Sequence, residues 1–226
     1  MTADRRSWRI AILGGTGAQG TGLALRLAKA GHTVTIGSRD PDKAREAAGK
    51  ASARINKWVG GASNREAATE AEIAVLTVPY GVQRGTVEHV LSQLRGKILI
   101  DATVPLIPPR VDIVQLPNGQ SVVAAIQALV GDTVRIVSAF QNVSARHLSD
   151  LDDPIDCDVL VCGDDPTACD VAIGLCHDIG VRGLYAGRIA NSAAVEALTS
   201  VLIQINRRYE VPSGSGIRIT GTLCRD

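Results

Sequence analysis

Arg9-Ile10-Ala11-Ile12-Leu13-Gly14-Gly15-Thr16-Gly17-Ala18-Gln19-Gly20 is the stretch from which the fold can be read. Four successive apolar residues, Ile10 to Leu13, suit a strand covered on both faces. Gly15, Gly17 and Gly20 then follow at the spacing G-x-G-x-x-G, and Ala18–Ala30 carries a helical pattern. Each glycine has a physical task in such a unit: a tight turn, close backbone approach to a pyrophosphate, and close contact of helix with strand. The helix that follows points free N–H groups and its positive dipole end at the phosphates. Glycine-rich turns are common, so context decides. Here strand, turn and helix follow in order, and a second strand, Thr33–Ile36, comes at the expected distance.

The exit of that second strand reads Ile36-Gly37-Ser38-Arg39-Asp40-Pro41-Asp42-Lys43. Folds that select NAD place a carboxylate there to hold the ribose hydroxyls. This chain instead offers a hydroxyl and a guanidinium. Ser38 can donate to a 2′-phosphate, Arg39 can grip it and stack on adenine, and Lys43 lies one helical turn on. The reading requires Asp40 to point away, because a carboxylate facing a phosphate dianion would repel it. The expected ligand is therefore NADP(H).

Working outward, short apolar runs alternate with helical patterns. Arg9–Leu13, Thr33–Ile36, Ile73–Val78, Lys97–Ile100 and Val134–Phe140 read as strands, and Ala18–Ala30, Asp42–Ile55, Val82–Leu94 and Ser121–Leu129 as helices. The alternation predicts an α/β fold of the Rossmann type, a doubly wound parallel sheet with a small C-terminal α/β appendage. The chain is divided into an NADP-binding unit, residues 1–150, and a small unit, residues 151–226, for dimerisation and the substrate crevice. In the second unit Val159–Cys162 is an apolar run and Gly163–Pro166 a turn. A helix ends at Gly180, and a last helix spans Asn191–Tyr209. Val195, Leu198, Leu202 and Ile205 give that last helix one apolar face, while Val201 and Ile203 lie off it. A second subunit is expected to cover the remainder, making a homodimer.

Composition narrows the partners. With 24 Lys and Arg against 23 Asp and Glu there is no basic excess for nucleic acid or an anionic membrane, and 3% aromatic residues make no base-stacking surface. Five cysteines at 157, 162, 169, 176 and 224 include no C-x-x-C pair. Neither a disulfide framework nor a metal site is expected, and the thiols read as idle in a reducing cytosol. The run Ile10–Leu13 is too short for a signal peptide or a membrane span, so the protein is expected in the cytoplasm.

Two strand ends bound the expected nicotinamide half. Thr77-Val78-Pro79-Tyr80 lies where the order of strands reverses; Pro79 cannot extend the ladder and Tyr80 can cover a ligand. Asp101-Ala102-Thr103-Val104-Pro105 forms the next exit. No acid–base motif accompanies them. His32, His89, His147 and His177 each read as structural or solvated, and no Ser, Tyr or Lys is placed as proton donor to a carbonyl. No catalytic side chain is therefore assigned. Hydride exchange between two rings needs mainly their stacked approach, which fits this absence.

The sequence resembles the NADPH-dependent reductases of coenzyme F420, an 8-hydroxy-5-deazaflavin, over nearly its whole length. Resembling segments are Gly14–Gly20, Gly37-Ser38-Arg39, Val75–Pro79, Val137–Phe140, Val161–Asp165, Asn191-Ser192 with the helix after it, and Gly216–Ile219. The resemblance implies that Thr16, Gly17, Ala18 and Gln19 meet the NADP phosphates and that Ser38, Arg39 and Lys43 hold the 2′-phosphate. It also implies that Val78, Tyr80 and Arg84 lie along the cofactor, with Ala145 by the nicotinamide, and it makes deazaflavin the co-substrate. One segment departs. Phe140-Gln141-Asn142-Val143-Ser144 stands where an archaeal-type member has a His-Thr pair, leaving Asn142 as the candidate substrate contact. The alternatives are an NADPH-dependent reductase of a flavin, imine or other small substrate, using Asn142 with a bound water, and a non-catalytic NADP(H) sensor.

Overall fold

In the computed structural model, which describes residues 6–221, Ile10, Ala11, Ile12 and Leu13 are almost completely buried. A strand without a polar face needs helices on both sides, and the chain supplies them. The strands are β1 Arg9–Leu13, β2 Thr33–Ser38, β3 Gly60–Ser63, β4 Ile73–Leu76, β5 Ile98–Asp101, β6 Arg135–Ser138, β7 Asp158–Gly163 and β8 Arg182–Gly187. The helices are α1 Ala18–Ala30, α2 Pro41–Ile55, α3 Asn64–Glu70, α4 Tyr80–Leu94, α5 Val122–Val130, α6 Ala145–Ser149, α7 Pro166–Asp178 and α8 Ser192–Tyr209.

All eight strands form one sheet in the order β3-β2-β1-β4-β5-β6-β7-β8. Pairings from β3 through to β6 are parallel, β6–β7 is antiparallel and β7–β8 is parallel again. The α/β doubly wound architecture expected from the sequence is thus the architecture observed. The segment after residue 150 carries that same sheet onward through β7 and β8. Alternation along β1 sends Ile10 and Ile12 to one core and Ala11 and Leu13 to the other. The first core lies under α1, α2 and α7 and includes Leu23, Ala44 and Leu175; the second lies under α3, α4 and α5 and includes Ala67, Val87 and Ile126. Leu13 is paired with Gly37 on one side and Leu76 on the other. The glycine turn therefore emerges between the exits of β2 and β4, where the strand order reverses and a crevice opens.

Several expectations need correction. The sequence reading places nothing between Ile55 and Ile73, yet β3 and α3 lie there. Gly60-Gly61-Ala62-Ser63 shows no apolar alternation because it is an edge strand packed tightly against α2. A Cβ on Gly61 would stand 2.5 Å from the Ala44 carbonyl oxygen. Strand β8 and helix α6 were also unforeseen. The fourth strand stops at Leu76 rather than Val78, and the sixth at Ser138 rather than Phe140, whose φ of +72° turns the chain out of the sheet. Ser38 ends β2 instead of following it, and Tyr80 opens α4 behind Pro79. Among the described residues no helix is long and apolar enough to cross a membrane.

A candidate cofactor and substrate cavity at the sheet switch

The three motif glycines are separated by what surrounds them. A Cβ on Gly15 would lie 2.7 Å from the Ile12 carbonyl oxygen, and one on Gly20 would lie 2.5 Å from both the Gly15 Cα and the Thr77 hydroxyl. Those two are glycine so that turn, helix and strand can touch. Gly17 differs: apart from its own chain neighbours, nothing lies within 4 Å of its added Cβ, and its φ of −79° is open to any residue. Space kept open at the first turn of α1, with no side-chain cap on the helix, is the cradle a pyrophosphate would fill. The turn is braced from both sides. Gly14 N donates to Asn64 Oδ1 at 3.1 Å, Gly15 N to the Gly37 carbonyl at 3.0 Å, and Gln19 Nε2 to the Phe140 carbonyl at 3.0 Å.

From this turn a cavity of about 760 Å³ runs along the ends of β4, β5 and β6 to α8. Thr16, Gly17, Ala18, Gln19, Ser38 and Arg39 line one end, Val78, Pro79 and Tyr80 the middle, and Asn142, Ala145, Thr199, Leu202 and Ser215 the other. Gly15 lies buried behind this lining. A second hollow of about 500 Å³ shares Ser38, Arg39 and Asn64 with the first and continues over Gly81 and Gly85 on α4 to His89. Arg39 thus stands between the two, exposed and reaching both.

Around Arg39 the polar chemistry suits a phosphate. The Asp40 carboxylate turns onto the start of α2, accepting from the Asp42 and Lys43 backbone N–H groups at 3.0 and 3.3 Å. It is thereby used as the helix cap and faces away, as the reading required. Ser38 Oγ accepts from Asp40 N at 3.1 Å, which leaves its hydroxyl proton to donate. Lys43 and Arg84, by contrast, are not brought to either cavity. Lys43 Nζ stands 4.0 Å from Asp40 Oδ2 and its side chain is largely exposed. Arg84 pairs along α4 with Glu88 at 2.9 Å and borders a separate hollow of about 210 Å³ near Pro117 and Asn118. Both side chains stand exposed beside a carboxylate, Asp40 for Lys43 and Glu88 for Arg84.

Asn142 also has another task. It lines the cavity, yet its Nδ2 donates to the Asp158 carbonyl at 2.6 Å and its Oδ1 accepts from Leu160 N at 3.4 Å. The side chain ties the exit of β6 to β7. Ala145 lines the cavity at the start of α6, which Ser144 caps through Arg146 N. His147 does not line it, and its backbone carbonyl accepts from Arg26 Nη2 at 2.6 Å.

Sequence reading missed several wall residues. Asn64 was missed because α3 was missed, although Ser63 and Glu66 form a capping box that marks its start. Thr103, Gln141, Thr199, Leu202 and Ser215 come together only through the sheet and α8. Beneath them lies a buried polar floor. Asp101, with no exposure, accepts from Gln83 Nε2 at 2.6 Å and Thr103 N at 2.9 Å, and Gln141 Nε2 donates to the Asp101 carbonyl at 2.8 Å. Burial pushes the Asp101 carboxyl above the usual range, opposed by those hydrogen bonds.

None of the described cysteines lines these hollows. Cys157, Cys162, Cys169 and Cys176 are buried and unpaired; burial pushes the first three thiols up to about 11 and Cys176 further in the same direction. Cys224 lies outside the described residues. Among the described residues no group of three or more His, Cys, Asp or Glu could hold a metal ion.

Residues 9–105, which contain the glycine turn, Arg39 and the Pro79 exit, match the family described as NADP oxidoreductase, coenzyme F420-dependent. The F420-dependent NADP reductase of Methanothermobacter marburgensis is 44% identical over 220 residues, covering 94% of this chain and 98% of that one. The enzyme of the same name from Methanocaldococcus jannaschii is 43% identical, with the same coverage of both chains. Among solved structures, a candidate F420-dependent NADP reductase from Arthrobacter sp. FB24 superposes with a TM-score of 0.80 at 27% identity, covering 95% of this chain and all of that one. A reductive aminase from Aspergillus terreus, 19% identical with a TM-score of 0.58, shares the fold alone. With relatives aligned across nearly its whole length, this chain belongs to the F420-dependent NADP reductase family.

Proposed function

We propose that the chain is an NADP-dependent oxidoreductase exchanging hydride between NADP(H) and a deazaflavin coenzyme of the F420 type, and that it works in the cytoplasm. The observation that carries this reading is one continuous cavity, with the glycine turn and Arg39 at one end and walled at the other by Val104, Leu106, Val143, Leu202 and Ile203. Among its described lining residues only Arg39 and Tyr80 carry ionisable side chains; there is no His, Lys, Asp, Glu or Cys. Such a lining suits two flat rings exchanging hydride and leaves little with which to protonate a carbonyl or imine.

In this reading the backbone of Thr16 to Gln19 holds the pyrophosphate, and Ser38 with Arg39 holds the 2′-phosphate. Val78, Pro79, Tyr80 and Ala145 bound the nicotinamide half. NADPH, when bound, supplies the hydride. The chain's part is to orient the rings, keep water from between them with apolar walls, and fix their spacing through buried hydrogen bonds beneath Thr103 and Gln141. Two copies pair through the outer face of α8, where Val201 and Tyr209 are 45% and 73% exposed, and residues 151–226 supply both that face and one side of the crevice. Purified protein is to be mixed with NADPH deuterated on the transferred position and with oxidised deazaflavin. Deuterium retained on the deazaflavin ring supports the reading; turnover of imines or flavins but not deazaflavin overturns it.

A further inference from the structure

Helix α8 forms the wall of the cavity farthest from the glycine turn, through Thr199, Leu202, Ile203 and Asn206. One turn before this wall sits Glu196, a carboxylate only 1% exposed. Its partners all belong to the start of α5. Ser121 Oγ donates to Oε1 at 2.5 Å, Val122 N to Oε2 at 2.9 Å and Val123 N to Oε1 at 3.3 Å. Those backbone groups are donors that a helix leaves unsatisfied at its first turn, and the dipole there favours negative charge. Ser121 is itself fixed, lying 2.5 Å from Ser192 Oγ and accepting from Ala124 N at 2.9 Å. Beyond Glu196, Thr199 Oγ1 donates to the Gln141 carbonyl at 3.0 Å, so α8 is referenced to the loop after β6 as well.

We infer that Glu196 is a positioning residue for the second substrate: its clamp on α5 sets the place of α8 and hence the width of the cavity beside the deazaflavin. A buried carboxylate is a costly way merely to pack two helices, and apolar side chains would do that at lower cost. What it adds is direction. Two oxygens meeting two successive N–H groups fix both the slide and the rotation of α8 about its axis, where sliding apolar contacts do not. The wall residues three to ten positions later inherit that placement. The glycine turn and Arg39, which in this reading hold the phosphates, stand at the other end and are braced by β2 and α3, so the clamp acts on the second substrate far more than on NADPH affinity.

The inference rests on the proposed deazaflavin site. Glu196→Gln keeps the shape but replaces one acceptor by a donor; Ser121→Ala removes one of the three bonds to Glu196, together with the Ser121 contacts to Ser192 and Ala124 N, at a residue that does not line the cavity. Glu196→Gln is expected to raise the deazaflavin KM about tenfold, the loss of one hydrogen bond's placement. Its kcat should change less, and its NADPH Kd, by fluorescence titration, should stay within about twofold. Ser121→Ala should move KM in the same direction by less, and it decides the matter if Glu196→Gln fails to fold. An unchanged deazaflavin KM in a folded variant, or equal weakening of NADPH and deazaflavin, overturns the inference. Wild-type protein that does not turn over deazaflavin at all would instead overturn the proposed function, and this inference with it.

Discussion

Gly17→Val separates folding from binding, because the structure assigns the three motif glycines different reasons for being glycine. At Gly17 a Cβ meets nothing within 4 Å apart from its own chain neighbours, and the backbone lies at φ −79°, ψ 169°, an extended conformation that a β-branched residue accepts. Valine there restricts the unfolded chain, so stability should hold or rise by about 0.4–1 kcal/mol. The same side chain fills the space before the first turn of α1, displacing the pyrophosphate from that helix's N–H groups. Two charge-assisted hydrogen bonds at roughly 1.5–3 kcal/mol each amount to a loss of at least about 100-fold in NADPH affinity. Gly15→Ala and Gly20→Ala should behave in the opposite way. Their Cβ atoms would meet backbone at 2.7 and 2.5 Å, so the sheet or helix must shift and about 1–3 kcal/mol of stability is lost. Urea denaturation and NADPH fluorescence titration read the two quantities independently. Wild-type NADPH affinity in folded Gly17→Val would refute the cradle, and instability of Gly17→Val matching that of Gly20→Ala would refute the division of roles.

Arg39→Ala is expected to weaken NADPH binding by about 1.5–3 kcal/mol while barely changing NADH binding; equal losses by calorimetry would show that Arg39 does not read the 2′-phosphate. Asn142→Ala should cost about 1–3 kcal/mol of stability in urea melts, since it leaves buried backbone groups of β7 unpaired. Its rate, like that of His147→Ala, should fall well short of the ~10²–10⁴-fold loss of a general acid. For pH, burial raises both the Asp101 and Glu196 carboxyls, so the folded chain binds more protons than the unfolded one between the ordinary carboxyl range and those raised values. Their contribution to stability is present below that window and declines as pH rises through it. Glu196→Gln should flatten part of that slope, and an unaltered slope would contradict the assignment.

Much of this molecule was legible in one dimension because the signals were local. Ile10–Leu13 with Gly15, Gly17 and Gly20 specifies strand, turn and helix through contacts within twelve residues, and Ser38-Arg39 at the next strand exit is what points the reading to a 2′-phosphate. Apolar runs covered on both faces announce parallel strands wherever they occur. Edge elements escaped notice because burial, the source of the pattern, is weak there: β3 is two glycines, an alanine and a serine, and β8 is only partly covered. Tertiary structure alone decided which polar side chains are free to act. Asn142 looks like a ligand in sequence, but β7 arrives to take its amide; Arg84 lies exposed on α4, paired with Glu88 and lining neither of the two hollows that Arg39 borders. The far wall of the cavity is assembled from Thr103, Gln141, Thr199 and Ser215, more than a hundred residues apart at the extremes. No short-range pattern encodes such a meeting. It depends on the sheet order and on where a buried carboxylate on α8 finds the start of α5.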